Sequence, residues 1–212
     1  MTPDTFLLDL DGTLVDSVAD LGTAVNALRR ELSLPDLTLA QVREYVGDGA
    51  RLLVSRALPP GAFSDAHLER FLSLYEHHLL DQTRPYPGIV DFLQRHPPAK
   101  LAVVTNKPWR LSRELLDGLG LTHHFAVLVG GDSCATKKPD PAPLLEALRR
   151  LGAVPEQAVM IGDHHTDLYA GRAAGTAICF CAWGLGHDDG LAPDFHAERP
   201  ADLLRLFPGA GA

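Results

Sequence analysis

Apolar residues follow two rhythms along this chain, and the rhythm changes twice. Thr5 to Leu8 is a short apolar run that stops at Asp9, with Gly12 and Thr13 just beyond. A run of that length ending in a turn predicts a buried strand with polar groups at its carboxyl end. From Val18 the apolar positions step by three and four through Leu21, Val25, Leu28 and Leu32, the stripe of an amphipathic helix. Leu39 and Val42 hint at a short second helix, Leu52 to Leu58 at a third, and Pro59-Pro60-Gly61 ends it. Leu68, Phe71, Leu72, Tyr75 and Leu79 form another clear stripe. Residues 16 to 84 therefore read as all-helical.

From Pro85 onward, strand and helix patterns alternate. Leu101–Val104, Phe125–Val129, Ala158–Ile161 and Ala177–Cys181 read as strands. Trp109–Leu119, Pro141–Leu151 and Leu168–Ala174 read as the helices between and after them. This alternation predicts an α/β, Rossmann-like parallel sheet with helices on both faces, which binds ligands beyond the carboxyl ends of its strands. The expected organisation is a core of residues 1–15 and 85–212 interrupted by a helical cap of residues 16–84. Both junctions fall at the ligand end of the sheet, so the cap is placed to act as a lid. The tail from Pro208 to Ala212 is expected to fray.

Composition narrows the class. The chain has 212 residues, 46% of them hydrophobic, and a net charge of -8. This balance argues against a basic nucleic-acid surface. It leaves room for an anionic substrate, because a bound cation reverses the local field. Cys134, Cys179 and Cys181 read as small apolar fillers in a reducing compartment. No run approaches the roughly 18 apolar residues of a membrane span. The opening Thr2-Pro3-Asp4 lacks a basic leader. The expectation is a cytoplasmic protein, monomeric or homodimeric, acting on a small phosphorylated metabolite.

Four strand ends carry the chemistry. The first ends in Asp9-Leu10-Asp11-Gly12-Thr13 and the second in Thr105-Asn106-Lys107. Lys138 follows the third, and the fourth ends in Gly162-Asp163 with Asp167 four residues on. In a parallel sheet these ends share one edge. Crowded carboxylates repel unless a cation sits among them, and hard oxygen ligands favour Mg2+. Asp9 and Asp163 suit that ion. Asp167 is placed either to hold a metal-bound water or to orient Lys138.

Asp9-Leu10-Asp11-Gly12-Thr13-Leu14-Val15-Asp16 resembles the first motif of the haloacid dehalogenase superfamily. Thr105, Lys138 and Gly162-Asp163-His164-His165-Thr166-Asp167 are similar to its second, third and fourth motifs. The likeness continues through Gly171-Arg172-Ala173-Ala174-Gly175 and Trp183-Gly184. The resemblance implies that Asp9 attacks phosphorus and becomes a phosphoaspartate. It implies that Asp11 is a general acid and base, protonated at first with help from a neighbouring carboxylate, and offers its carbonyl to the metal. Thr105 and Asn106 would bind phosphate oxygens, and Lys138 would neutralise charge on the phosphoryl group and Asp9.

Dehalogenases of the superfamily lack the second aspartate, which is present here. The Schiff-base phosphonate hydrolases need a cap lysine, and residues 16–84 contain none. Phosphate-ester hydrolysis or transfer remains, so sugar phosphate and nucleotide substrates, or a mutase reaction, stay open. Val46-Gly47-Asp48-Gly49-Ala50-Arg51 and Tyr86-Pro87-Gly88 look like segments of phosphoglycolate phosphatases. Gly47 and Gly49 would let backbone N–H groups approach an anion, and Arg51 would reach a substrate carboxylate. Two departures stand out. Asp48 puts a carboxylate where relatives commonly carry Asn, which would weaken anion binding in the turn and counts against a small doubly acidic substrate such as phosphoglycolate. His164 and His165 replace small polar residues, and they read as one surface and one hydrogen-bonded side chain rather than an added metal site.

Overall fold

The computed structural model describes residues 3–209. Of the tail expected to fray, residues 210–212 lie outside the described residues, as do Met1 and Thr2. The strands are β1 (Thr5–Leu8), β2 (Val15–Asp16), β3 (Arg84–Pro85), β4 (Leu101–Val104), β5 (Val127–Val129), β6 (Ala158–Gly162), β7 (Ala177–Cys181) and β8 (Phe195–Ala197). The helices are α1 (Val18–Glu31), α2 (Leu39–Arg43), α3 (Ala50–Ala57), α4 (Asp65–His77), α5 (Ile89–Gln94), α6 (Trp109–Gly118), α7 (Ala142–Leu151), α8 (His165–Ala174) and α9 (Asp202–Leu206).

Six strands form one sheet in the order β5-β4-β1-β6-β7-β8, and every adjacent pair is parallel. β1 therefore sits centrally, with β4 on one side and β6 on the other. The strands are continuous apolar runs because both faces are covered. Successive residues split between the two sides. Phe6, Leu8, Val103 and Ile161 join a cluster with Phe92 and Leu115, and Leu7, Ala102, Val104 and Met160 join one with Leu144 and Leu168. The first cluster runs on into the helical segment through Leu21, Val25, Leu53, Phe71 and Tyr75.

Helices α1 to α4 are the expected stripes. α2 is closed by a reciprocal capping box between Thr38 and Gln41, and α4 starts on Ser64, whose hydroxyl accepts from His67 N–H. Between the helical segment and the sheet, the chain crosses twice, and the crossings pair antiparallel as β2 and β3. Asp20 on α1 is fully buried and accepts from the backbone of Gln82 and Thr83 and from the Thr83 hydroxyl at 2.7–3.0 Å. This fastens the returning chain to the outgoing helix.

The strand read over Phe125–Val129 begins only at Val127, because residues 122–124 form a turn of 3-10 helix capped by Phe125. Cys179 and Cys181 are buried in β7, and Cys134 is half-buried; all three are free thiols. No helix among the described residues is long and apolar enough to cross a membrane.

Candidate active site

The order of the sheet brings the first, second and fourth polar strand ends side by side. Asp9 follows central β1, Thr105 follows β4, and Asp163 follows β6; all three are buried. Behind Asp9 the chain folds back at once: Leu14 and Val15 both donate to the carbonyl of Leu10. Gly12 makes that turn at a φ of 91°, and a Cβ there would lie 2.3 Å from Asp163 Oδ2. A side chain at position 12 would thus push the first motif off the fourth.

Lys138 is the hub. Its ammonium, with a side chain 1% exposed, donates to Asp9 Oδ1 at 2.8 Å, Asp167 Oδ1 at 2.6 Å and the Val104 carbonyl at 2.6 Å. The other oxygen of Asp167 accepts from His164 N–H at 3.1 Å. Both oxygens of Asp167 are thereby engaged, so the geometry matches the orienting alternative. Asp163 accepts from the Thr13 hydroxyl at 2.7 Å and from Leu185 and Gly186 N–H at 2.8 and 3.1 Å.

Asp9, Asp163 and Asp167 each offer an oxygen within 4.8 Å of the others, all buried. Burial pushes Asp9 up to about 6 despite the Lys138 ammonium, with the Asp167 charge adding to the rise. Burial likewise pushes Asp163 up to about 7, with the charges on Asp9 and Asp167 adding to it. Lys138 is raised: burial opposes its charge, but the carboxylates of Asp167 and Asp9 outweigh that. Three carboxylates against one ammonium leave two negative charges in a dry pocket. That is the deficit one divalent cation would cancel, and the all-oxygen donors fit a hard ion.

This imbalance has a measurable consequence. Asp9 and Asp163 start from 3.8 in the unfolded chain, so between about pH 4 and 7 the metal-free fold holds protons that the unfolded chain releases. Stability contributed by these groups is then lost as pH rises through that window. Magnesium ligation needs the ionised forms. We expect magnesium to raise the unfolding free energy read from urea titration more at pH 7.5 than at pH 5, with a gain of up to ~2.7 kcal/mol at a hundredfold excess over Kd. Equal gains at the two pH values would overturn this assignment.

Asp11 lies apart from the carboxylate cluster. Its Oδ1 accepts from the Ser17 hydroxyl at 2.5 Å, and Lys107 Nζ reaches both its oxygens at 2.9 and 3.1 Å. Its neighbour is therefore an ammonium and not the carboxylate that sequence reasoning expected. Lys107 also donates to the Tyr75 hydroxyl at 2.6 Å and sits 4.4 Å from that ring's centre. Burial opposes the Lys107 charge, yet Asp11 and Tyr75 hold it raised. Lys107, Tyr75 and Ser17 were missed as site residues. Tyr75 looked like one more apolar position in a helical stripe. Lys107 carried the stronger signal, since it shares a strand end with Thr105.

The cap turn closes over this edge. Asn106 Nδ2 donates to the carbonyls of Gly47 and Lys138, both at 3.0 Å. The amide that was expected to bind phosphate thus pins the lid turn, with its Oδ1 buried and unpaired among the described residues. Lys137 donates to the Asp48 carbonyl at 2.5 Å, and Arg43 to that of Gly184. A Cβ on Gly47, at φ 117°, would lie 2.5 Å from the His164 ring. Gly49, at φ 91°, opens α3.

A cavity of about 50 Å³ remains between lid and sheet, lined by Asp9, Asp11, Thr105, Asn106, Lys107, Gly47 and Gly49 at one end and by Leu53, Phe71 and Leu72 at the other. Arg51 is outside this lining. Its guanidinium pairs with Asp65 at 2.8 Å, lies over Phe63, and is 55% exposed. The structure therefore pairs it within the cap, away from the cavity lining.

Known proteins resemble this chain along most of its length. The family model of haloacid dehalogenase-like hydrolases matches residues 6–181. A phosphoglycolate phosphatase of Aquifex aeolicus is 38% identical over 207 residues, covering 95% of each chain. One from Chromobacterium violaceum is 40% identical, covering 94% of each. The crystal structure of a predicted phosphoglycolate phosphatase from Haemophilus somnus superposes with a TM-score of 0.86 at 28% identity, covering 97% of this chain and 98% of that one. The chain belongs to the haloacid dehalogenase-like hydrolases. Within them it is a phosphatase, similar to the phosphoglycolate phosphatases along nearly its whole length.

Proposed function

We propose that the protein is a magnesium-dependent phosphatase for phosphoglycolate or a monoester of its size, working through a phosphoaspartate on Asp9. The observation that carries this reading is the buried edge where Asp9 is held by Lys138 beside Asp163, under a lid that leaves only a small cavity. Asp9, Asp163 and the Asp11 carbonyl would hold the ion, with Asp167 keeping Lys138 in place. Bound there, magnesium would screen the carboxylates and the phosphate dianion from one another.

The rest falls to the chain's own groups. Asp9 presents a carboxylate oxygen to phosphorus, and Lys138 and Thr105 accompany the charge moving onto the phosphoryl oxygens. Asp11 stands on the leaving-group side: entering the step in its protonated form, it gives that proton to the departing alkoxide and takes one back from the water that attacks the phosphoaspartate. The Lys107 pairing fixes its orientation. The lid of residues 16–84 excludes water during the first step. We place the enzyme in the cytoplasm, where its three free thiols fit a reducing compartment.

Charge favours a small monoester that carries a carboxylate, such as phosphoglycolate, in the cavity between lid and sheet. Lys107 is the ammonium at its wall, and it is the group we assign to a substrate carboxylate in place of Arg51. A panel of phosphoglycolate, sugar phosphates and nucleoside monophosphates, read as kcat/KM with magnesium, tests the assignment. Phosphoglycolate should lead. Lys107→Ala should cost it on the order of 10–100-fold beyond what the same change costs p-nitrophenyl phosphate, which has no carboxylate and shares only the Asp11 contact, and Arg51→Ala less than about twofold. A nucleotide leading the panel, or the reverse order of the two variants, would overturn the substrate reading.

A further inference from the structure

The two departures in the sequence, a carboxylate in the lid turn and a histidine pair after β6, fall on one spot. Asp48, His164 and His165 each bring a ligand atom within 4.8 Å of the others. Asp48 belongs to the turn before α3, whereas the histidines open α8 on the sheet side. The rings of His164 and His165 lie 4.1 Å apart, centre to centre, and His187 stacks on His165 at 5.3 Å.

We propose that Asp48, His164 and His165 form a second metal site, for a zinc-class transition ion, that joins the lid to the core. The site is separate from the magnesium carboxylates and does not depend on which ester is hydrolysed. Two imidazoles and one carboxylate are a donor set for zinc, nickel or cobalt, while magnesium prefers oxygen alone.

The details of each donor fit. Nδ1 of His164 lies 3.0 Å from the Thr166 hydroxyl. The same Nδ1 accepts from the Thr166 N–H at 3.4 Å as the cap of α8; ligation through Nε2 would exchange that long contact for an N–H donated to the hydroxyl, the pattern by which an outer partner fixes a metal-bound histidine. That Nε2 edge faces the lid, since it lies 2.6 Å from where a Cβ on Gly47 would be. His165 Nδ1 is buried and has no hydrogen-bond partner among the described residues, an arrangement that wants a ligand. Asp48 Oδ2 is held by Arg56 at 2.6 Å, which leaves its Oδ1 for the ion. His187 or water can complete the coordination. Moving from the present spacing to bonds of ~2.0–2.1 Å takes side-chain shifts of about an ångström.

Because the ligands come from both sides of the cleft, the ion would hold the lid down. Zinc should therefore slow turnover at saturating magnesium, and it should do so through a site that magnesium does not fill. The decisive measurement is zinc binding to chelator-treated protein in excess magnesium, by competition with a chromophoric zinc indicator. We expect one zinc per chain in the wild type and in Asp163→Asn, where the catalytic carboxylates are impaired. His165→Ala and Asp48→Asn, each shown to fold by thermal unfolding without zinc, should each bind roughly tenfold or more weakly. Retention of wild-type affinity by either folded variant overturns the site. So does a zinc that is lost in Asp163→Asn, or no zinc uptake by the wild type. If His165→Ala fails to fold, Asp48→Asn decides alone.

Discussion

Asp9→Asn is expected to lower phosphate-ester hydrolysis by on the order of 10⁴-fold or more while the protein stays folded. The amide keeps the size of the side chain but cannot donate a carboxylate electron pair to phosphorus. It also removes one of the three negative charges packed around Lys138, so the metal-free fold should lose nothing and is expected to gain stability. That combination separates lost chemistry from collapse. p-Nitrophenyl phosphate with magnesium, alongside a thermal melt of the metal-free protein, reads both. Residual activity within tenfold of wild type would remove Asp9 from the role of nucleophile.

Lys138→Met should do the opposite to stability and the same to turnover. The side chain is 1% exposed and faces Asp9 and Asp167, which are 9% and 0% exposed. Methionine fills the volume and leaves two buried carboxylates with no cation. Breaking a buried pair from one side costs roughly 3–5 kcal/mol, about 10 °C of Tm for a chain of this length. The loss should shrink as pH falls towards 5, because Asp9, pushed up to about 6 by burial, takes a proton in that range. A Tm within about 2 °C of wild type at pH 7.5 would show that Lys138 is not the hub of the site. Substitution of Asp167 by Asn should loosen Lys138 less, since the amide still accepts a hydrogen bond.

The two rhythms made most of the fold legible. Strands such as Leu101–Val104 and Ala177–Cys181 stand where the apolar runs put them, because a strand buried on both faces has little freedom in its sequence. The misses have physical reasons. β8 (Phe195–Ala197) and α9 (Asp202–Leu206) are too short to show a period. β2 and β3 are two-residue strands that exist only through each other. In the site, Asp9, Lys138, Asp163 and Asp167 were legible because strand ends converge in any parallel sheet. What no single strand end reveals is reach across the cleft. Tyr75 finds Lys107 from the lid, Asn106 spends its amide on the lid turn, and Arg51 finds Asp65 on its own side. Such pairings depend on how the lid seats, and the spacing of residues along the chain does not encode that.

The pairing of β2 with β3 bears on how this enzyme breathes. Two independent tethers would let the helical segment tilt, slide and twist. Val15 zipped to Pro85 and Asp16 to Arg84, with Asp20 clasping Thr83 just outside, bind the two crossings into one short strap. A strap bends about one line and resists shear. We expect opening of the helical segment to be a swing about this strap, like a door on a piano hinge, in which the contacts along the far edge part together. Substrate entry and product escape share that swing, which makes the strap, far from the phosphorus, a place where turnover can be tuned without touching a catalytic group.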